Sequence, residues 1–171
     1  MPIPVVGLAG FSNSGKTTLL EKIIAVLDGR GYQVGVIKHT HHQIEFDQPG
    51  KDTWRHAKAG AEVVVLASAE GISLYKRLSA DPSPEVVLDM ISGVDLIIVE
   101  GYKWGNWPKI ALLRQEVAER ADIPKEELLA VVSDMHKSHS ESSDIPCFDW
   151  NDFMGIANLI EREIIGKRED R

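Results

Sequence analysis

The segment Gly10–Thr18, which reads GFSNSGKTT, constrains the fold of this chain more than any other. It matches the pattern G-x-x-x-x-G-K-[ST], in which glycines let the backbone wrap around phosphates and successive N–H groups point inward. An apolar run with β-branched residues precedes it at residues 3–9, and apolar residues at helical spacing follow it over residues 16–27. The sequence therefore predicts a strand–loop–helix unit with a phosphate-binding loop at its centre.

Short apolar runs alternate with amphipathic segments along the rest of the chain. Strands are predicted over residues 32–37, 62–67, 72–76, 95–99, 110–113 and 129–132, and helices over 52–59 (with Asp52 as N-cap), 84–91 and 151–165. Apolar strands separated by helices are typical of an α/β sheet covered on both faces. The two strands within 62–76 are too close for a helical crossover, so an antiparallel insert is predicted there. The predicted fold is a P-loop NTPase with a mostly parallel sheet flanked by helices, in a single domain over residues 1–171.

The composition restricts the classes of function. The chain has 171 residues and a formal net charge of -7, which argues against nucleic-acid binding because that needs a basic face. Its single cysteine, Cys147, excludes an intramolecular disulfide and a thiolate zinc site within one chain. The apolar runs are too short to cross a bilayer, and the first residues lack the positive charges that lead a secretory signal. We therefore expect a cytoplasmic protein without a membrane partner.

The phosphate loop predicts roles for the residues around it. Lys16 is placed to reach the β- and γ-phosphates of a nucleoside triphosphate, and the Thr17 hydroxyl is placed to bind Mg²⁺. Glu100 ends the apolar run DLIIVE and is predicted to be the second Mg²⁺ ligand. A carboxylate that ends a buried strand is otherwise costly, although a solvent-exposed strand end is the alternative.

Three of the six histidines lie in the segment KHTHH, residues 38–42. In a P-loop protein, the segment after the second strand can cover the terminal phosphate. Three interpretations compete: a loop in which Lys38, His39 and His41 contact an anionic ligand, a metal site formed by the histidines, and a surface turn. We favour the anionic ligand, because the fixed cation of Lys38 opposes a divalent metal and attracts phosphate.

A resemblance to a known family is carried by four segments in this order and spacing: GFSNSGKTTL, VIKHTHH, FDQPGKDTWRHAKAGA and DLIIVEGYK. Together they resemble the molybdopterin-guanine dinucleotide biosynthesis protein B (MobB) family, over nearly the whole chain. The resemblance implies a GTP-binding homodimer with at most a slow Mg²⁺-dependent GTPase activity. It also implies an adapter role for the guanylyltransferase that joins GMP to molybdopterin, with molybdopterin itself as a further candidate ligand.

The resemblance also implies a set of site residues. The catalytic candidates are Lys16, Glu100 and the loop acid Asp47, with Asp52 as a second acidic loop position. The residues expected to hold the phosphates and Mg²⁺ are Gly10, Asn13, Ser14, Gly15, Lys16, Thr17 and Thr18. No N-K-x-D guanine-binding motif occurs, but Asp134 ends the segment VVSD and is placed to accept hydrogen bonds from guanine. Guanine specificity therefore rests on the resemblance.

Two other functional classes stay open at this stage. A small-molecule kinase would use Asp47 as the base and Arg55 to screen the transferred phosphoryl group. A metallochaperone GTPase would deliver a metal through the histidine segment. The tryptophans leave a similar choice, because Trp54, Trp104 and Trp107 either stack on a pterin or guanine ring, or pack against a partner, or form a hydrophobic lid. An exposed strand edge in the 62–76 insert favours pairing with another chain.

Overall fold

A computed structural model describes residues 2–10, 15–42, 44–45, 47–113, 123–134 and 144–166. In chain order its elements are β1 (Val5–Ala9), α1 (Lys16–Gly29), β2 (Val34–Lys38), α2 (Asp52–Ala59), β3 (Val63–Ala67), β4 (Ile72–Lys76), α3 (Pro84–Leu88), β5 (Leu96–Glu100), β6 (Lys109–Leu113), a 3₁₀ turn (Lys125–Glu127), β7 (Leu128–Ser133), β8 (Cys147–Phe148) and α4 (Phe153–Ile160), which continues as a π-helical turn (Glu161–Ile165). Every predicted strand is present, with ends shifted by at most two residues. The short strand β8 was not predicted.

Six of the strands form one parallel sheet in the order β2-β5-β1-β6-β7-β8. Parallel strands end at the same edge of a sheet, so the residues that follow β1, β2, β5 and β7 all lie at its carboxyl edge. The predicted mostly parallel α/β sheet is confirmed. None of the helices that the structure describes has the length and apolar character required to span a membrane.

The sheet is buried on both faces because its central strands are apolar throughout. Leu96, Ile97, Ile98 and Val99 of β5 are each at most 2% exposed. Side chains alternate along a strand, so Leu96 and Ile98 pack with α1 and α4 on one face, whereas Ile97 and Val99 pack on the other. The helices α1 and α4 therefore cover one face of the sheet, and α1 is the helix that follows the phosphate loop.

Residues 40–83 form a second compact unit, which is inserted in the chain between β2 and α3. Here β3 and β4 pair antiparallel, as predicted for residues 62–76, and form their own two-stranded sheet. One face of this hairpin packs on α2 through the buried Val64, and the guanidinium of Arg77 donates to the carbonyl of Ala57 at 2.6 Å. The other face is exposed and apolar.

Three helix boundaries differ from the sequence-based expectation. Lys51, not Asp52, is the N-cap of α2, and Asp52 lies in the first turn, where a carboxylate faces the positive end of the helix dipole. The helix α3 ends at Leu88 instead of residue 91. The last helix begins at Phe153, because the Asp152 side chain caps it by accepting from the N–H of Gly155 at 2.9 Å.

Candidate functional site

The phosphate loop leaves β1 at Gly10 and enters α1 at Gly15. Gly15 has φ of 87°, a left-handed conformation that a side chain disfavours, and it caps α1 without a side-chain hydrogen bond. The first turn of a helix carries N–H groups without intrahelical partners, which favour an anion. Thr17 and Thr18 lie exposed in this turn. The predicted ligands Asn13 and Ser14 lie outside the described residues.

Lys16 lies at the centre of the charges around this loop. Its ammonium donates to the carbonyl of Gly10 at 2.8 Å, which brings the side chain back to the end of β1. Burial lowers the pKa of Lys16 below its usual value of 10.5, the Glu100 carboxylate opposes that shift, and the cations of Lys38 and Lys103 add to it. An anion bound beside Lys16 would favour its charged form, which is the behaviour expected of a phosphate-binding lysine.

Glu100 is the last residue of β5 and lies beside the strand that leads into the phosphate loop. It pairs in register with Leu8 of β1 on one side and with Lys38 of β2 on the other. Side-chain alternation places it on the same face as Ile98, which is the face covered by α1. Its side chain is 13% exposed, and the Lys38 ammonium lies 3.4 Å from its Oε1 atom. The structure thus brings Lys16, Lys38 and Glu100 to one edge of the sheet, and their roles toward phosphates and Mg²⁺ stay predictions.

The backbone beyond Glu100 is held tightly against the end of β2. The N–H of His39 donates to the Glu100 carbonyl at 2.8 Å, and its ring stacks on Tyr102 with centroids 3.9 Å apart and 18° between planes. Gly101 has φ of 102°, and a Cβ there would lie 2.7 Å from the His39 carbonyl oxygen. Among the described residues, Tyr102 is the one non-glycine residue with a positive φ, at 43°. Sequence reasoning gave Gly101 and Tyr102 no role, although a glycine directly after a strand-end acid is the signal that marks this turn.

The remaining histidines of KHTHH belong to the second compact unit. Nδ1 of His41 lies 3.5 Å from Oδ2 of Asp81, and both side chains are largely exposed. The N–H of His42 donates to the Thr40 hydroxyl at 3.2 Å, which forms a local turn. An anionic ligand for His39 and His41 therefore stays a prediction.

The carboxylate of Asp47 is hydrogen-bonded to other residues of the second compact unit. It accepts from the Thr53 hydroxyl in α2 and from the N–H of Gln48 at 2.7 Å. The hydrogen bond from Thr53, followed by that from Gln48, lowers the pKa of Asp47 below its usual value of 3.8. These contacts organise the start of α2 and make the carboxylate a weak base. Its catalytic role stays a prediction.

Asp134 and the tryptophans occupy different environments. Asp134 is exposed directly after β7, at the carboxyl edge that also carries Gly10 and Glu100, and its guanine-binding role stays a prediction. Trp107 is 8% exposed and belongs to the core, whereas Trp104 is 85% exposed. Core packing accounts for Trp107 without a stacked ligand. Trp54 lies in α2 of the second unit, with the Lys58 ammonium 5.6 Å from its ring centroid.

A buried lysine is the main feature that sequence reasoning missed. Lys109 begins β6, and its side chain is 2% exposed. Its ammonium donates to the carbonyls of Gly105 at 2.6 Å and Trp107 at 3.2 Å, and it forms an ion pair with Glu127. It therefore fixes the loop that connects Glu100 to β6.

The geometry described above first indicates a structural class of protein, and the comparison with known families then gives the family. A glycine-bounded loop between a buried parallel strand and a helix, a lysine that reaches back to the end of that strand, and an acid ending the neighbouring strand are the features of a P-loop protein. The model of one family, described as molybdopterin guanine dinucleotide synthesis protein B, MobB, matches residues 5–134. The chain belongs to this family.

Similar proteins and structures agree with that assignment. The chain is 39% identical over 165 residues to the molybdopterin-guanine dinucleotide biosynthesis adapter protein of Haemophilus influenzae, covering 93% of this chain and 88% of that protein. It is 36% identical over 168 residues to the protein of the same name from Escherichia coli, covering 92% and 91%. The crystal structure of Bacillus subtilis MobB superposes with a TM-score of 0.75 at 28% identity, covering 96% of this chain and 99% of that one.

Proposed function

We propose that this protein is a GTP-binding adapter in molybdenum cofactor biosynthesis and hydrolyses GTP slowly at most. The observation that carries the proposal is the ammonium of Lys16 hydrogen-bonded to the Gly10 carbonyl, beside the Glu100 carboxylate, in a chain of the MobB family. The relatives from Haemophilus influenzae and Escherichia coli are named as adapter proteins of molybdopterin-guanine dinucleotide biosynthesis. The resemblance of the sequence to that family supports the same role here.

The phosphates are held by backbone and by Lys16. Gly15 is left-handed and makes no side-chain cap, the first turn of α1 presents N–H groups to an anion, and Lys16 adds a mobile positive charge. When a triphosphate arrives, the ammonium of Lys16 exchanges the Gly10 carbonyl for phosphate oxygens. The phosphates then compensate for the partial burial that lowers the pKa of Lys16 in the free protein.

The donor set at this edge of the sheet fits Mg²⁺. Glu100 offers a partly buried carboxylate and Thr17 an exposed hydroxyl, and hard oxygen donors are those that Mg²⁺ prefers. When bound, Mg²⁺ would supply positive charge that neutralises the phosphates. Glu100 and Thr17 would hold it, and Lys16 would hold the phosphates.

Slow turnover is consistent with the state of Asp47. A general base for the attacking water needs a carboxylate that can accept a proton readily near neutral pH. Asp47 already accepts two hydrogen bonds, and its pKa is lowered, so it is a poor base. An adapter that reports the presence of GTP does not require fast hydrolysis.

The test of nucleotide binding is a calorimetric titration of GTP, GDP and ATP, each with and without Mg²⁺. We expect GTP with Mg²⁺ to bind best and Lys16→Ala to weaken it roughly 10- to 100-fold, because a hydrogen bond to a charged group is lost. Lys125→Ala, on the exposed 3₁₀ turn, is the matched control and should bind as the parent does. Equal GTP affinity in parent and Lys16→Ala would contradict the phosphate-loop assignment, and a preference for ATP would contradict the guanine assignment.

Dimerisation is supported by the outward face of the hairpin. On it β3 and β4 align Val63, Val65, Leu74 and Ile72, each between 48% and 75% exposed. An exposed apolar face on a two-stranded sheet favours association with another chain. We expect a homodimer by light scattering at micromolar concentration and a monomer for Val65→Lys. A monomeric parent protein would contradict the proposal.

The adapter role is tested with the guanylyltransferase that joins GMP to molybdopterin. We expect the parent protein with GTP and Mg²⁺ to stimulate product formation by that enzyme. Lys16→Ala should not stimulate it, whereas Lys125→Ala should. Stimulation that persists in Lys16→Ala would separate the adapter role from nucleotide binding.

Metal analysis of the untagged protein tests the histidine segment, since about one bound transition metal per chain would favour the metallochaperone alternative.

A further inference from the structure

The carboxylate expected to hold Mg²⁺ already has a cation beside it. The Lys38 ammonium lies 3.4 Å from Oε1 of Glu100, and the proposed function assigns the carboxylate of Glu100 to the metal. A metal ion and an ammonium beside the same carboxylate repel each other, so each weakens the binding of the other. We therefore expect the ammonium of Lys38 to move away from Glu100 when Mg²⁺ binds there.

The backbone leaves only the side chain of Lys38 free to move. Lys38 and Glu100 are register partners on adjacent parallel strands and are the last residues of those strands. The hydrogen bond from His39 to Glu100 and the stacked His39–Tyr102 rings fix the chain directly beyond them. Departure of the ammonium is thus a rotation of a four-carbon side chain and needs no strand movement.

The side chains of Lys38 and Glu100 are buried to different extents, which favours release of Lys38 while Glu100 stays in place. The Glu100 side chain is 13% exposed, whereas that of Lys38 is 61% exposed. Ion pairs with an exposed partner are weak, so Lys38 is released at low cost. A carboxylate of low exposure beside incoming phosphates is stabilised by a neighbouring cation.

We propose that Lys38 is an exchangeable counter-ion of Glu100. It neutralises the carboxylate before the metal arrives, Mg²⁺ displaces it, and the released ammonium then contacts the phosphate oxygens that arrive with the metal. Lys38 consequently opposes the binding of metal alone and favours the binding of metal and nucleotide together. This inference rests on the proposed function for the identity of the second ligand.

The first experiment is a double-mutant cycle on GTP binding with Lys38→Gln, Glu100→Gln and the double variant. In EDTA the pair persists in the free and the nucleotide-bound protein, so the two side chains should be coupled by less than about twofold in GTP affinity. With Mg²⁺ the pair is broken on binding, so the coupling should rise to about threefold to fivefold, the range of a partly exposed ion pair. Lys38→Gln alone should still weaken Mg²⁺–GTP binding roughly tenfold through the lost phosphate contact. Equal coupling in both conditions would mean a permanent pair and overturn the proposal, as would a Lys38→Gln variant that binds Mg²⁺–GTP normally.

The second experiment needs no nucleotide and uses Mn²⁺ as a paramagnetic probe of the free protein, followed by electron paramagnetic resonance. We expect Lys38→Gln to bind Mn²⁺ about threefold to fivefold more tightly than the parent, because the competing ammonium is gone. Glu100→Gln should lose this site. Lys103→Gln removes a nearby charge that acts on Lys16, and it is the control for a general electrostatic effect.

The two experiments fail in different ways. A protein that binds no GTP contradicts the proposed function, yet the Mn²⁺ titration still tests the exchange. Equal Mn²⁺ affinity in parent and Lys38→Gln, an equal gain in Lys103→Gln, or no Mn²⁺ binding to any variant would each overturn the exchange.

Discussion

Two lysine–glutamate pairs lie on opposite faces of the central sheet. Lys38 and Glu100 lie on the face covered by α1. The Lys38 side chain is 61% exposed, and among the described residues its ammonium has one acidic contact, Glu100 at 3.4 Å. Lys109 lies on the other face against Gly7 and Trp107, is 2% exposed, and donates to two carbonyls besides contacting Glu127. The number of acceptors around the ammonium, and not the identity of the pair, separates a structural lysine from an exchangeable one.

The energetics of the two pairs follow from that difference. A buried ammonium is tolerated only where every donor position finds an acceptor, so removal of Lys109 leaves carbonyls and a carboxylate without their partner. Removal of Lys38 leaves a carboxylate that water can reach. We therefore expect stability to depend strongly on Lys109 and ligand binding to depend on Lys38.

The largest expected effect is that of Lys109→Met. The methionine fills much of the same space but donates no hydrogen bond, so the free energy of unfolding should fall by about 3–5 kcal/mol. Urea unfolding measures it, with Lys125→Met on the exposed 3₁₀ turn as the matched control. A decrease in the free energy of unfolding below about 1 kcal/mol, the range of exposed ion pairs, would mean that Lys109 contributes no more to stability than Lys38.

A smaller effect is expected from Gly101→Ala, which tests whether the backbone beside the Lys38–Glu100 pair is rigid. The added Cβ meets the His39 carbonyl at 2.7 Å in a left-handed conformation, so we expect a loss of about 1–3 kcal/mol. Gly29→Ala, at the end of α1 with no atom within 4 Å of the new Cβ, is the control and should be neutral or slightly stabilising. If the free energy of unfolding of Gly101→Ala equals that of the parent, the backbone there is not rigid, and the strands could move when Mg²⁺ replaces Lys38 at Glu100.

The smallest expected effect is that of Lys38→Met on stability. An ion pair with one largely exposed partner contributes about 0–1 kcal/mol, so the urea midpoint should barely change. The same variant should still lose GTP affinity in the presence of Mg²⁺. A loss of stability as large as that of Lys109→Met would make Lys38 a structural lysine and break the comparison.

The sequence predicts the fold because the local patterns that indicate strands, loop and helix follow one another in the order that this fold requires. The apolar run before Gly10 and the helical spacing after Lys16 place the phosphate loop, and the acid that ends DLIIVE indicates Glu100. Each of these signals lies within a few residues of the feature it predicts.

The features that sequence reasoning missed depend on distant partners. Lys109 lies outside the strand predicted over residues 110–113; a lysine rarely occupies a buried strand position, and its partner Glu127 lies 18 residues away. The contact between Lys38 and Glu100 depends on β2 and β5 being neighbours in register, although 62 residues separate the two positions (100 − 38). A single sequence shows the candidates but not the strand order that joins them.

The packing of Trp107 against glycines has a consequence for the evolutionary history of the chain. A Cβ at Gly7 would lie 2.6 Å from the indole nitrogen of Trp107, and one at Gly105 would lie 2.0 Å from its ring. A side chain at either glycine requires the indole to shift or to be replaced by a smaller side chain. A substitution at position 7 or 105 is therefore expected to be tolerated better in a chain in which Trp107 has already become smaller than in the present one.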